Sequence, residues 1–497
     1  MRIDTKEGRF YVNLPSKLFN KIKEIAEIHQ DIDLAILGLL LHFILSEKYK
    51  DKNLSKGAER VPLNAKILNK YNYDEFKTKT HLEVLVEEGI LERTKYYKGK
   101  RSRKGKSRTY KILDEYFEKD NKLISFNSPK IVKNFSKHHA KRRAIADYKC
   151  EHLTKWLQHE GLSMDTEEAK AYVDEKFNSE DDKYVRDKRI RAIDDFCSYQ
   201  TVYSREGKDD RLHHFFTTLP SDLKKFVTFN REKLQEADIK NSQPFIFSHI
   251  LSLIKQEYEI ETEKYGSISY KRFSNRLYKI FKGLVNEYYE GECHIEEGYR
   301  LDIREICNSI TIMLQKAPKP LDFTEINTFI SLVRSGQIYE YVGEKFLNKG
   351  SIIHQEGKYW VCLYDKEKKQ QKYFDFETLR KCAKKVTINA LYGSPYNKRV
   401  TAIEHFKSLF PQVTKYLSAM KSGDKADLAI LMQRIESKCI LDHCSKKIAK
   451  KYPEMPLICR HDSLSTTVDW LHILKREFNQ LLNNYFDMVM RVEVSNW

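Results

Sequence analysis

Two aspartates and a basic segment between them are the residues of this sequence best suited to chemistry. Residues 234–247 (LQEADIKNSQPFIF) place Asp238 just after a short predicted strand. Asp462 stands at a strand-turn-strand pattern in residues 456–465 (PLICRHDSLS). Between them lie residues 380–393 (RKCAKKVTINALYG). Two fixed carboxylates can hold two divalent cations, and positive charge nearby can neutralise a triphosphate. We therefore expect the three segments to form one site for metal-dependent phosphoryl transfer.

Four side chains of the middle segment recur at steps of four residues, namely Arg380, Lys384, Ile388 and Tyr392, and Gly393 follows directly. Residues four apart lie on one face of an α-helix, so the spacing predicts a helix with a single stripe of these side chains. A charged helix with one tyrosine also occurs as an ordinary surface helix. The aspartate segments before and after this helix in the sequence are what favour a functional interpretation of the stripe.

The charge balance points to a polyanionic partner. The chain of 497 residues has 89 Lys and Arg against 71 Asp and Glu, a formal net charge of +18. Basic side chains on phosphates release counterions and gain affinity, although a basic excess also serves solubility. Aromatic residues make up 12% of the chain and can stack on bases, and 41% hydrophobic residues exclude a disordered chain. This length allows two or three domains.

The cysteine and hydropathy patterns indicate a cytoplasmic protein. The nine cysteines include no CxxC pair, and Cys439, His443 and Cys444 lack the fourth ligand of a structural zinc site. We therefore expect reduced thiols. The most apolar run, residues 34–45 (LAILGLLLHFIL), is too short to span a bilayer, and the N-terminal sequence is too polar for a signal peptide. No membrane partner is expected.

The first 125 residues show the pattern of a separate module. Helices are predicted over residues 15–29, 31–48, 64–71 and 74–89, the last ending at Gly89, and strands over residues 90–95 and 109–113. The sequence EEGILERTKYY…RTYKIL, with a basic loop at residues 98–108, resembles the last helix and wing of the winged helix-turn-helix family.

That resemblance implies a DNA-binding domain over residues 1–125 whose loop contacts phosphates. The side chains expected to make these contacts are Lys100, Arg101, Arg103, Lys104 and Arg108. A solvated hairpin tip is the alternative interpretation of the loop.

The three chemistry-bearing segments resemble the motifs of the DNA polymerase I family (family A) and of the related single-subunit phage-type RNA polymerases. The resemblance implies that Asp238 and Asp462 hold two Mg²⁺ ions, for which Mn²⁺ can substitute. It implies that Arg380 and Lys384 contact the triphosphate of a nucleotide and that Tyr392 lies against the sugar and the template base.

The same resemblance assigns roles to further residues. Gln243 falls at the sugar-selecting position, where the DNA polymerases carry Glu and the RNA polymerases Gly, so its bulk favours deoxynucleotides. Ser242 and Ser463 match the RNA polymerase pattern instead. Substrate contacts are implied for Ile388, Gly393 and His461, and nucleic-acid contacts for Gln433 and Arg211. The family has Asn one turn before that glutamine, where this chain has Ala429.

The resemblance covers residues 205–497 and implies an α+β, right-hand polymerase fold, with a palm built on an antiparallel sheet, helical fingers and a thumb. Residues 126–204 would be a helical, thumb-like connecting region. An insertion is expected between Gln256 and Pro318, and no proofreading exonuclease domain is expected.

We therefore expect a family A-like DNA polymerase without proofreading, encoded by a phage or mobile element. It would act on a nucleic acid template, with DNA favoured, and on nucleoside triphosphates. A small single-subunit RNA polymerase or primase is the first alternative. The second is a non-catalytic DNA-binding replication initiator or regulator.

Overall fold

The structure is a computed structural model that describes residues 2–50, 60–63, 75–94, 108–116, 121–179, 182–199, 202–286, 301–317, 321–365, 370–393 and 401–497. Helices and several antiparallel sheets make up these residues, which confirms the α+β class. The chain forms two compact units. The first comprises Met1–Ile145, Ser163–Tyr203 and His214–Val227, and the second comprises Ala146–Leu162, Ser204–His213 and Thr228–Trp497. The division into residues 1–125, 126–204 and 205–497 stays a prediction.

The first unit begins with a three-stranded antiparallel sheet and two helices. The sheet has the order β1-β2-β6, formed by β1 (Arg2–Asp4), β2 (Arg9–Pro15) and β6 (Asn121–Asn127), and α1 (Ser16–Ile28) and α2 (Leu34–Lys50) confirm the first two predicted helices. Phe10 stacks on Phe126 at 5.2 Å between ring centroids. A Cβ at Gly38 would lie 2.4 Å from the Phe126 ring, so only glycine lets α2 approach the sheet this closely.

A second small sheet of this unit carries the predicted hairpin. It has the order β3-β5-β4, formed by β3 (Val61–Pro62), β4 (Leu91–Arg93) and β5 (Thr109–Ile112), and Leu91 pairs with Ile112. The helix α3 (Glu75–Glu87) precedes β4, and Gly89 has φ +67°, which favours glycine after a helix end. These elements confirm the predicted helix over residues 74–89 and the two strands after it. The predicted helix over residues 64–71 and the loop residues Lys100, Arg101, Arg103 and Lys104 lie outside the described residues.

The next segments are mainly helical. Their elements are α4 (Pro129–Leu157), β7 (Leu162–Met164), α5 (Thr166–Lys176), α6 (Lys183–Tyr199), α7 (Phe215–Thr218) and a 3₁₀ turn at Ser221–Phe226. The first turn of α5 is capped by Asp165, whose carboxylate accepts a hydrogen bond of 2.9 Å from the Glu168 amide. Within α4, Cys150 departs from helical geometry with φ −151° and ψ 46°.

The central sheet of the second unit positions the aspartates. Five of its strands pair antiparallel, and they are β8 (Val227–Phe229), β9 (Glu232–Ile239), β13 (Ile458–Arg460), β14 (Ser463–Thr467) and β15 (Val492–Asn496). Strand β9 lies between β14 and β15. Asp238 lies within β9, not after it as the sequence suggested, because β14 and β15 pair with the strand through that residue. Pro244 stands in the first turn of the helix that follows this strand.

Helices and one further sheet complete the second unit. The helices are α8 (Ser242–Tyr265), α9 (Tyr270–Leu284), α10 (Ile303–Lys316), α11 (Thr324–Arg334), α12 (Ile338–Asn348), α13 (Leu379–Tyr392), α14 (Thr401–Leu409), α15 (Pro411–Met420), α16 (Asp427–Ser437), α17 (Ser445–Lys451) and α18 (Leu471–Phe486). The sheet β10-β11-β12 comprises β10 (Ile352–Gln355), β11 (Lys358–Asp365) and β12 (Gln370–Phe376). Gln433 lies within α16, which begins at Asp427.

A buried ion pair fixes the segment Ser204–His213 within the second unit. Arg205 is 0% exposed and donates two hydrogen bonds of 2.6 Å to Asp442, which lies in the π-helical segment Lys438–Cys444 after α16. Its side chain also donates to Asp210 at 3.1 Å. Removing either partner would leave a buried charge unpaired, which destabilises a fold strongly. The network therefore holds in place the segment that carries Arg211. Among the described residues, no helix is both long and apolar enough to cross a membrane.

Candidate active site

The two aspartates come together at one end of the central sheet. Asp238 is directly opposite Ser463 on β14, and the amide of Ile239 donates a 3.3 Å hydrogen bond to the carbonyl oxygen of Asp462. Burial raises the pKa of both carboxyls above the ordinary value, and each is raised further by neighbouring negative charge. For Asp462 that charge comes from Glu436 and then Asp238. The pair therefore forms a site where excess negative charge favours a cation.

A two-residue turn delivers Asp462 to this position. Arg460 pairs with Ser463 across the turn, so His461 and Asp462 form its tip, and His461 has φ +55°. Burial lowers the pKa of His461 to about 4, so the ring is neutral at neutral pH. It packs edge-on against His213 at 6.3 Å between ring centroids. His461 thus contributes an uncharged ring beside the aspartates.

A third acidic residue supports the turn from β9. Glu236 is buried two residues before Asp238 and accepts hydrogen bonds from Arg460 at 3.1 and 3.2 Å and from the hydroxyl of Ser463. Residues two apart lie on the same face of a strand, so the spacing of Glu236 and Asp238 could have indicated this role. It was not among the residues predicted from the sequence.

The predicted basic helix is α13, and its two faces differ as expected. The buried face consists of Cys382, Ala383, Val386, Thr387, Ala390 and Leu391, whereas the predicted stripe lies on the other face. Thr378 caps the first turn by accepting a 3.2 Å hydrogen bond from the amide of Lys381. A Cβ at Gly343 would lie 2.8 Å from Leu379, so this glycine permits the close packing of α12 on α13.

Both predicted triphosphate-binding residues lie near the aspartates or the helix that follows β9. Lys384 is exposed, and its charge lowers the pKa of Asp238 against the raising effect of burial. Arg380 makes an ion pair with Glu340 of α12 and a 3.4 Å hydrogen bond to the side-chain oxygen of Asn241. Asn241 has φ +59°, a left-handed conformation that asparagine tolerates better than most residues.

Tyr392 belongs to a hydrogen-bonded network at the start of α8. Its hydroxyl donates to the side-chain oxygen of Gln243, and the amide nitrogen of Gln243 donates to Glu436. Ser242 donates to the same carboxylate at 2.7 Å, and Arg211 makes an ion pair with it. The structure therefore brings four predicted site residues together around Glu436. No sequence pattern indicated Glu436 beyond its place one turn after Gln433.

The remaining predicted residues of the second unit lie on α13, at its end, or on α16. Ile388 and Gln433 are half-buried, and the amide of Gly393 donates a 2.7 Å hydrogen bond to the carbonyl of Asn389 at the end of α13. Lys421 is 3% exposed and also caps this end, because its ammonium donates to the carbonyl oxygens of Ala390 at 3.3 Å and Gly393 at 2.8 Å. Of the predicted wing residues only Arg108 is described, half-buried and directly before β5.

The residues that could hold a metal are Asp238 and Asp462. In the described part of the chain, no group of three or more His, Cys, Asp and Glu side chains is arranged to bind a metal ion. Two carboxylates with raised pKa values nevertheless fit hard cations such as Mg²⁺, which favour oxygen ligands and accept further oxygens from phosphates and water. The two carboxylates therefore provide oxygen donors of the type that such a cation binds together with water.

Comparison with known proteins gives no family assignment. No protein-family model matches the sequence, and no curated protein matches it. A solved structure described as the POL domain of Pol1 from M. smegmatis in complex with DNA primer-template and dNTP aligns with 97% of this chain and 69% of its own. The identity is 12% and the TM-score 0.22, which carries no argument about fold or activity. The proposed function therefore rests on the geometry of the site.

Proposed function

We propose that the chain is a template-directed nucleotidyltransferase that works with two divalent cations at Asp238 and Asp462. The observation that carries this proposal is the convergence of both carboxylates with the basic face of α13. Burial and mutual repulsion disfavour the ionised pair, and cations offset that cost. Lys384 supplies positive charge beside the pair, where the phosphates of a nucleotide would bind.

The chain's own groups have distinct roles in this reaction. When bound, the cations lower the pKa of an attacking hydroxyl and stabilise the leaving pyrophosphate. Asp238 and Asp462 would hold these cations, for which we propose Mg²⁺ with Mn²⁺ as a substitute. Lys384 and Arg380 would neutralise the triphosphate, and Tyr392 would border the sugar. Since phosphoryl transfer depends mainly on positioning and charge stabilisation, no covalent intermediate with the protein is needed.

We also propose wider assignments for the rest of the chain. The sheet β13-β14-β9-β15 would be the palm, and α13 the fingers helix beside it. Ile388, Gly393 and His461 would contact the substrate, and Gln433 the nucleic acid. The β3-β5-β4 sheet with α3 would be a winged helix that binds duplex DNA through Arg108 and the neighbouring loop. An origin in a phage or mobile element and the lack of proofreading remain part of this proposal.

We favour DNA as the product because Gln243 stands beside Tyr392, where a bulky side chain would crowd a 2′-hydroxyl. The fit of Ser242 and Ser463 to the RNA polymerase pattern makes RNA synthesis, by a small RNA polymerase or primase, the second candidate. Comparing deoxynucleotides and ribonucleotides on one primer-template separates the two products.

The first prediction tests the assignment directly. Asp238→Ala and Asp462→Ala should each abolish Mg²⁺-dependent nucleotide incorporation, because one carboxylate cannot hold both cations. The measurement is primer extension on DNA and RNA templates, together with synthesis without a primer, with deoxynucleotides and ribonucleotides compared.

Asp469→Ala is the matched control, since this carboxylate is exposed just after β14. It should retain wild-type incorporation, and all three variants should keep the wild-type circular dichroism spectrum and DNA affinity. Incorporation at near wild-type rates by either site variant would refute the proposal. Retained DNA binding without incorporation by the wild-type chain would favour the non-catalytic initiator or regulator.

A further inference from the structure

Glu436 is a buried carboxylate that holds three donors of the candidate active site. Its residue is 1% exposed, and it accepts hydrogen bonds from Ser242 at 2.7 Å, from the amide nitrogen of Gln243 and from the guanidinium of Arg211. No role follows for this residue from the sequence motifs. Its position between the first turn of α8 and Arg211 links it to the groups around the proposed sugar pocket.

The chemistry of these partners fixes the orientation of Gln243. An ionised carboxylate only accepts hydrogen bonds, so the Gln243 amide must present its nitrogen to Glu436. The amide oxygen then faces Tyr392, whose hydroxyl donates to it. Rotating the amide by half a turn would place oxygen against oxygen on one side and remove the acceptor for Tyr392 on the other. Gln243 is therefore held at both ends in one orientation.

We propose that Glu436 is the positioning residue that makes Gln243 an effective barrier to the 2′-hydroxyl of a ribonucleotide. This inference rests on the proposed polymerase function and deepens it. A free glutamine side chain has several rotamers and can turn away from an added hydroxyl, whereas a side chain bound at both ends cannot yield without breaking hydrogen bonds. Sugar selection thus depends on the hydrogen bond to Glu436 as well as on the bulk of Gln243.

The near-isosteric change Gln243→Met separates these two contributions. It keeps the bulk of the side chain, but its thioether has no donor for Glu436, so the side chain is no longer held in one orientation. We expect kcat/KM for ATP relative to dATP to rise about tenfold, within the range for discrimination of one small group. If bulk alone selects the sugar, the ratio stays at the wild-type value and the inference is wrong.

Glu436→Gln tests the same contact from its other side. The new amide cannot accept from all three donors, and we again expect a rise of about tenfold in the ATP-to-dATP ratio. In a Gln243→Gly background, Glu436→Gln should change the ratio no further, because the side chain that it positions is gone. A merely structural role for Glu436 would lower thermal stability in both backgrounds and leave the ratio unchanged.

Glu477→Gln is the matched control. This buried glutamate of α18 also accepts from several donors, with Lys451 at 2.9 and 3.0 Å and Tyr452 at 3.1 Å. Its ratio should equal that of the wild type. If Glu436→Gln does not fold, Gln243→Met alone decides, since Gln243 is half-buried. A wild-type chain that incorporates neither nucleotide refutes the proposed function, whereas one that incorporates both without preference refutes this inference alone.

Discussion

At the scale of single residues, burying Asp238 and Asp462 in ionised form lowers the stability of the fold. Burial raises the pKa of both Asp238 and Asp462 well above the ordinary value, and the negative charge of neighbouring carboxylates raises each further. Between an ordinary aspartate pKa of about 4 and these raised values, the folded chain binds more protons than the unfolded chain. The pair's contribution to stability is therefore greatest at acidic pH and falls as pH rises through this window. Metal binding to the ionised pair should counter that fall.

The pH dependence of stability provides a measurement that needs no catalysis. Mg²⁺ should raise the midpoint of thermal unfolding more at about pH 8 than at about pH 5, because protons compete with the cation for the carboxylates. Asp462→Asn should lose most of this Mg²⁺ effect and be more stable than the wild type in metal-free buffer at about pH 8. Asp469→Asn, with its exposed side chain, should behave as the wild type does. An equal Mg²⁺ effect at both pH values would contradict the assignment of the pair.

At the scale of elements, the sequence predicted the helices and hairpins whose residue pattern lies within one continuous segment. The stripe on α13, the hairpin around His461 and the helix ending at Gly89 follow from the spacing of side chains along one segment. The pairing of β2 with β6 was not predicted, because it joins residues more than a hundred positions apart. Glu436 was missed for the same reason. Its partners Arg211 and Ser242 are distant in sequence, and a single glutamate on a helix carries no periodic signal.

Lys421, the buried lysine that caps the end of α13, should contribute more to stability than an exposed lysine nearby. Lys421→Ala should destabilise the fold by about 1–3 kcal/mol, because the carbonyls of Ala390 and Gly393 lose a buried donor. It should also raise KM for nucleotides, since Tyr392 lies at this end of the helix. Urea unfolding and steady-state kinetics measure the two effects. Lys425→Ala removes an exposed lysine four residues on and should change neither, and equal effects of both substitutions would contradict the capping role.

At the scale of the whole molecule, part of the net charge of +18 should contribute to DNA binding through the predicted wing. Neutralising Lys100, Arg101, Arg103 and Lys104 should weaken duplex DNA binding. It should also lower the log-log salt slope by about one for each phosphate that the protein no longer neutralises. Extension of a pre-annealed primer should change much less. Affinity is measured over a salt series by fluorescence anisotropy.

The control for the wing removes the same number of charges from exposed lysines elsewhere in the first unit. These are Lys6, Lys17, Lys23 and Lys133. An equal fall in affinity in both variants would show a general charge effect and refute a dedicated wing. An unchanged affinity and salt slope in the wing variant would identify the loop as a solvated hairpin tip.

The ion pair between Arg380 and Glu340 would influence which ligands the proposed site binds. A nucleotide that recruits Arg380 must first displace a carboxylate that already satisfies it. A nucleoside offers no negative charge for this exchange, whereas the closely spaced charges of a triphosphate outweigh a single carboxylate. Because both side chains of the ion pair are partly exposed, the exchange costs little free energy. The pair would thus favour a triphosphate over an uncharged nucleoside before any sugar or base is recognised.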